Sequence, residues 1–520
     1  MVCIIVAAVV CLASCGGGKT SPPPPSGPFS NASLKGQYAF LMSGLDLNGG
    51  YVARVGSFTA DGSGGVTGGL QDFLSLSSGQ ATVPAPFTGG SYQIDDAGRG
   101  QIVLNAAGGN LQLNLILQST NTGSLVETDL NNAMSGSFDL QTSSDFAAAA
   151  LGHSYAFGLY GVSFVSQKAA PIALVGQIIG DGNGAITGGV MDTHDGNLSA
   201  SSGATAVKPG TYALDTNGNG PNFGRGTMTF NGRSYAFYIV DATHFDMVEE
   251  DTLGGSAGPA LQQAATIPTQ NSALSGGFVY LTAGASSLGA QALVTRVARF
   301  TADGNGGVGA ISLDDNNDGG YTHVSQGGNI SAATYAIDTA NSGSGRVAFT
   351  FKSSGVGTFA DVFYLISPTQ GVALETTNGI IGTGPIYAQT AGPFTLAGSA
   401  GNYVVSWSGI QLGSTTIVPF TEDGIAQYTL ANSNSSNIAG FADYAELGLS
   451  SKTIFSNVGL AGTLTFNSDS TTNNHYKFAL TGSPSVTLNF QAYFVNPGKV
   501  LMICSDGVRT MAGAINQQQP

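Results

Sequence analysis

Three sets of residues in this 520-residue chain have types and spacings that could do chemistry. The first is Asp314-x-Asn316-x-Asp318-Gly319, which matches the opening of a calcium loop, where alternate side-chain oxygens and a glycine bend surround the ion. Ser325 stands where such a loop carries its bidentate Glu, and no flanking helices are predicted, so the competing reading is a polar loop between strands. The second set recurs: Glu127 with Arg99, Glu249 with Arg225 and Glu375 with Arg346. These are read either as structural ion pairs at the end of a folded unit or as carboxylates lining a ligand-binding mouth. The third is DGNGAITGG at 181–189, where Asp181 and Asn183 could wrap a cation or simply turn the chain.

Other chemistry is thinly supported. No HExxH helix, P-loop or CxxC pair occurs. The five histidines (His153, His194, His244, His323, His475) never pair at ligand spacing and read as solvated or incidental. Cys504 occupies the place that Glu127, Glu249 and Glu375 hold elsewhere, with no base nearby in sequence, and reads as a small buried thiol. A net charge of −15, with sixteen scattered basic residues, argues against nucleic-acid binding, which needs clustered Lys and Arg. The expectation is a protein without enzymatic activity and without a cofactor, calcium at 314–318 being the one ion considered.

The elements that must position these residues come from an internal repeat. Four segments open alike at 36–40, 153–157, 276–280 and 401–405 (GQYAF, HSYAF, GGFVY, GNYVV). Asp-Gly pairs follow at Asp61, Asp181, Asp303 and Asp423, read as one hairpin turn in four copies. A block such as SYQIDDAGRGQIVL (91–104) comes next, of which the fourth copy keeps only AGTLTF (461–466). Each unit then has an alternating strand, LQLNLIL at 111–117 in the first, and closes on a strand ending in Gln. Four tandem β units are therefore expected at 33–144, 149–264, 272–390 and 394–518, set as closely spaced beads.

Period-two alternation, glycine-rich turns and almost no helical periodicity make the chain all-β. About eight short strands in about 120 residues suit an up-and-down antiparallel barrel or a related sandwich. The openings Gly36-Gln37-Tyr38 and Gly401-Asn402-Tyr403 resemble the Gly-x-Trp that begins the first strand of calycins, which supports a barrel.

The N-terminus gives location. An apolar run from Val2 to Leu12 leads into Leu12-Ala13-Ser14-Cys15 and is too short for a permanent membrane span. The sequence Leu-Ala-Ser-Cys resembles the lipobox of bacterial lipoproteins, although Met1 and Val2 stand where that family carries a basic residue. The resemblance implies a signal peptide over 1–14, cleavage before Cys15 and a lipid on that cysteine. Gly16 after it points to the outer membrane or cell surface. Residues 15–32, with Pro22 to Pro25, read as a semi-rigid tether. With Cys3 and Cys11 removed and Cys15 acylated, Cys504 alone remains, so no disulfide framework holds the mature chain.

The expectation is a lipid-anchored envelope protein with a structural, adhesive or binding role. It would touch the membrane through Cys15 and an unknown ligand or protein through its surface. Two rivals are small-ligand or carbohydrate-binding barrels, and a hydrolase with its site on one unit.

Overall fold

In the computed structural model, the described residues are 28–77, 84–165, 168–198, 201–215, 222–286, 292–325, 330–354, 357–392, 394–395, 397–412, 420–430, 437–448, 451–466, 475–482 and 487–519. The proposed signal, Cys15 and most of the tether lie outside them.

Strand patterning closes each unit on itself. Unit 1 has eight antiparallel strands, from Lys35–Asp46 to Asn132–Leu140, and its first strand pairs with its last (Tyr38 opposite Leu140), making a closed barrel. Unit 4, from Gly401–Gln411 to Arg509–Gln517, closes the same way. Units 2 and 3 have nine strands each. In unit 2 the fourth strand is split into Ser202–Ala206 and Gly210–Leu214. In unit 3 it is split likewise, into Gly320–Ser325, which pairs with the third strand Val308–Asn317, and Ile330–Ile337, whose seam to that strand is the bridge Gly307 to Thr334. Among the described residues the only helices are five single turns of 3-10 type.

The alternation in LQLNLIL shows why barrels form. Leu111, Leu113, Leu115 and Leu117 point into unit 1 and join a core with Tyr38, Phe40, Phe58 and Phe138. Each unit has such a core, and cavities among the core side chains of units 3 and 4 measure about 10 and 20 Å³. That is room for about one water and for no small ligand.

The Asp-Gly pairs resolve into two kinds. Asp61 accepts the backbone N–H groups of Ser63 (2.6 Å) and Gly65 (2.9 Å), Asp181 those of Asn183 and Ala185, and Asp303 those of Asn305 and Gly307. The following glycines sit at φ +82°, +75° and +79°, which only glycine adopts at little cost. DGNGAITGG is therefore a turn whose carboxylate is used by its own backbone. The fourth pair is not its counterpart. Asp423 lies buried inside the strand Phe420–Leu430. The register pairs Val55–Asp72, Val175–Asp192, Val297–Asp314 and Ile425–Asp443 put the counterpart of Asp61 beyond Leu430, outside the described residues. AGTLTF likewise lies on the fourth strand of unit 4, Lys452–Phe466, and the fifth strand is His475–Gly482.

The outward faces are apolar too, because the units pack on one another. At the joint of units 1 and 2, Val55 meets Tyr238 and Val248. Val175 meets Tyr364 and Leu374 between units 2 and 3, and Val297 meets Tyr493 and Ile503 between units 3 and 4. The fourth joint runs from unit 4 back to unit 1, where Ile425 meets Ile116 and Val126. These are equivalent positions in all four cases, so one head-to-tail contact is used four times and closes. The units form a ring of four rather than a row of beads.

Candidate functional site

The joints are built from repeated polar residues. Each unit ends on a glutamine that clips the next unit. Gln141 Nε2 donates to the carbonyls of Phe223 and Ile239, Gln263 Nε2 to Ser344 and Leu365, and Gln389 Nε2 to Phe494. Gln518 Nε2 donates to Ala97 (2.9 Å) and Leu117 (2.7 Å) of unit 1, completing the cycle. The N–H of the following residue does the same each time: Thr142 to Val240, Ala264 to Ile366, Thr390 to Val495 and Gln519 to Gln118.

Beside each clip lies a buried carboxylate from the third strand of one unit, reached by a cation from the fifth strand of the next. Arg225 grips Asp72 in two-pronged fashion at 2.7 and 2.8 Å, and Tyr238 adds a hydroxyl at 2.8 Å. Arg346 and Tyr364 repeat this on Asp192. Arg99 meets Asp443 at 3.1 Å across the closing joint, with Ile116 in the tyrosine's place. Paired forks of this kind are the strong form of ion pair.

Unit 4 departs from the rule at its joint with unit 3. His475 occupies the arginine's place, since His475 pairs in register with Tyr493 as Arg225 does with Tyr238. Its Nε2 stands 3.0 Å from Asp314 Oδ2, and Gln491 Oε1 is 3.1 Å from the same nitrogen. His323, on the first half of the split fourth strand of unit 3, places Nδ1 2.9 Å from Asp314 Oδ1, where the Tyr321 hydroxyl also donates at 2.5 Å. The rings are stacked: His323 on His475 at 5.0 Å and His475 on Tyr493 at 4.7 Å. Burial raises the Asp314 carboxyl, but hydrogen bonds from His323 and His475, with their charge, outweigh it and hold the group below its ordinary range.

The residues singled out in the sequence divide accordingly. Asp314, Asn316 and Asp318 do not converge on an ion, because Asp314 and Asn316 lie on a strand and face unit 4 rather than wrapping a loop. Asn316 Nδ2 donates to the carbonyls of Cys504 and Arg509, its oxygen accepts from Gly319 and Thr510, and Asp318 turns the chain at φ +51°. The pairs Glu127–Arg99, Glu249–Arg225 and Glu375–Arg346 do not form either. Arg99 lies opposite Ile116 and Glu127 opposite Leu113, three positions apart on one strand, so the two point to opposite faces of the sheet. The same offset of three holds in units 2 and 3. The glutamates are buried inside their own barrels, Glu249 with Arg233 and Ser256, Glu375 with Arg296, and Glu127 with Asn132. Cys504 is a buried free thiol.

Sequence reasoning missed the pairing of His323 with His475, since they belong to different units. The available signal was internal: aligning HYKFAL with the strands that begin at Arg99, Arg225 and Arg346 puts His475 in the arginine's column.

The closing joint also contains a titratable group. Asp423 accepts from the Ser135 hydroxyl of unit 1 at 2.9 Å. Burial pushes its carboxyl up to about 6, against hydrogen bonds from Ser408 and Ser135 and the charge of Lys452. Between pH about 4 and 6 the folded chain keeps a proton that the unfolded chain has lost, so stability falls as pH rises through that window. Asp423→Asn is expected to flatten this slope and to add about 2–3 kcal/mol at pH 7, from a shift of about two pKa units at 1.36 kcal/mol each. Urea unfolding across the window measures both.

No protein-family model matches the chain, and no curated protein matches it. Among solved structures, a mutant of transferrin-binding protein B from Haemophilus parasuis Hp5 is similar at 9% identity and a TM-score of 0.21, over 77% of this chain and 83% of that one. Isotype 1 of the same protein from serogroup B Neisseria meningitidis is similar at 8% identity and a TM-score of 0.21, over 76% and 84%. Superpositions at that level carry no weight for fold or function, which rest on the chain itself.

Proposed function

We infer that the chain is a lipid-anchored protein of the cell envelope whose four barrels, locked head-to-tail, act as a rigid non-enzymatic platform that binds a partner at the cell surface. The observation that carries this reading is the closing clip of Gln518 onto Ala97 and Leu117. A chain that spends four apolar joints on fixing its units in a ring gains a defined outer surface. The packed apolar cores of the four units direct recognition to that surface, away from the lumens that a small-ligand or sugar-binding barrel would use.

The anchor is tested by Cys15→Ser. In membrane fractionation the wild-type chain is expected in the membrane pellet and the variant in the soluble fraction. A variant that stays with the membrane removes the lipid anchor from this reading and leaves the ring untouched.

A further inference from the structure

We propose that Asp314, His323 and His475 bind a divalent transition-metal ion of the zinc class, which bolts unit 3 to unit 4. Their ligand atoms, one from each residue, all lie within 4.8 Å of one another. An ion with donors about 2.0–2.1 Å away holds those donors roughly 3.0–3.4 Å apart. Asp314 stands 2.9 Å from His323 Nδ1 and 3.0 Å from His475 Nε2, close to ligand separation, while the two stacked imidazoles must turn their nitrogens toward one point. Two imidazoles with one carboxylate suit zinc and its neighbours, whereas calcium and magnesium take oxygen.

The charge pattern of the ring calls for positive charge here, from a bound ion or from the two imidazoles themselves. At each of the other three joints a guanidinium faces the buried carboxylate. At this joint the arginine is replaced by His475, and Asp314 is fully buried. The nearby cations are used elsewhere: Arg296 by Asp315 and Glu375, Arg509 by Glu422 and Asp506. A buried carboxylate requires a positive partner. A metal ion shared with the two imidazoles supplies it without an arginine.

The surroundings are already those of a supported site. Tyr321 holds Asp314 from outside, and the His475 ring is fixed in plane by Tyr493, itself bonded to Ser312 at 2.8 Å. Outer partners of this kind orient ligands and set affinity. Gln491 brings a further oxygen to the cluster. The His323 side chain is 25% exposed, which gives the ion a way in.

Titration of the purified full chain with cobalt(II), read by its ligand-field absorption, and with zinc by calorimetry tests the proposal. Binding of about one ion per chain to these residues is expected, with a rise in melting temperature as ligand linkage requires. His475→Arg recreates the joint of units 1 and 2, so it should fold normally while weakening binding by roughly tenfold or more. His323→Ala, which leaves the unit 4 side of the joint intact, should weaken it comparably. Absence of binding to the folded wild-type chain overturns the proposal. So does binding that both variants retain, which would place the ion elsewhere. A joint that His475→Arg stabilises without any ion bound to the wild-type chain would make the pair of histidines a plain substitute for arginine, and equally overturns it.

Discussion

Replacing Arg225 with alanine is expected to cost about 3–5 kcal/mol, because it strips a fully buried carboxylate of the cation that grips it. Asp72 is fully buried and receives two bonds from Arg225 and one from Tyr238. The tyrosine hydroxyl alone cannot offset a whole charge in that setting. The arginine also reaches Asp215 and Glu250, so the substitution leaves three acids facing one another across the joint of units 1 and 2. Two readouts separate this from ordinary loss of packing. Urea unfolding should show the transition of units 1 and 2 moved to lower denaturant. The double variant Arg225→Met with Asp72→Leu should recover most of the loss, since a pair replaced by apolar groups no longer holds an orphaned charge. A double variant as weak as the single one would contradict this reading of the joint.

Gln518→Ala should open the ring at one place and leave the barrels folded. Its amide donates to two carbonyls of unit 1, and its oxygen accepts from Gln427 at 2.7 Å. Each buried polar group left unmet costs about 1–3 kcal/mol, so a loss of at least about 2 kcal/mol is expected at the closing joint. Local opening then becomes easier by roughly 30-fold at 1.4 kcal/mol per decade. Hydrogen exchange reads this directly. The Gln519 amide, bonded to the Gln118 carbonyl across the joint, should exchange faster by that factor. The Thr142 amide, its counterpart between units 1 and 2, should be unchanged.

Much of this architecture was legible in the sequence, and the illegible part has a physical cause. Period-two alternation in LQLNLIL is a property of the strand itself, so the barrels could be read from it. The closing glutamines also stood out as repeats, but what a side chain touches in the next unit leaves no mark on its own segment. For the same reason nothing in the sequence marks the outward apolar residues Val55, Val175, Val297 and Ile425 as the seams of a ring. The Glu–Arg pairs failed on parity: both partners were real repeats, yet three positions of offset put them on opposite faces. Unit 4 was misread because Asp303 and Asp423 lie 120 residues apart, the same spacing that separates Asp61 from Asp181. That coincidence shifted the register by several residues and hid His475 from the arginine column. Asp314 was singled out with Asn316 and Asp318, whereas the structure sets it against His323 and His475.

Small-angle X-ray scattering on residues 28–519 tests the closed ring most directly. Compact units of about 120 residues have a radius of gyration of roughly 14 Å each, so four at the corners of a square give about 25–30 Å and four in a line about 40 Å. The four joints predict the smaller value, with no rod-like region in the scattering curve. A radius near 40 Å with the signature of a rod would mean that unit 4 does not return to unit 1, and the ring would have to be abandoned.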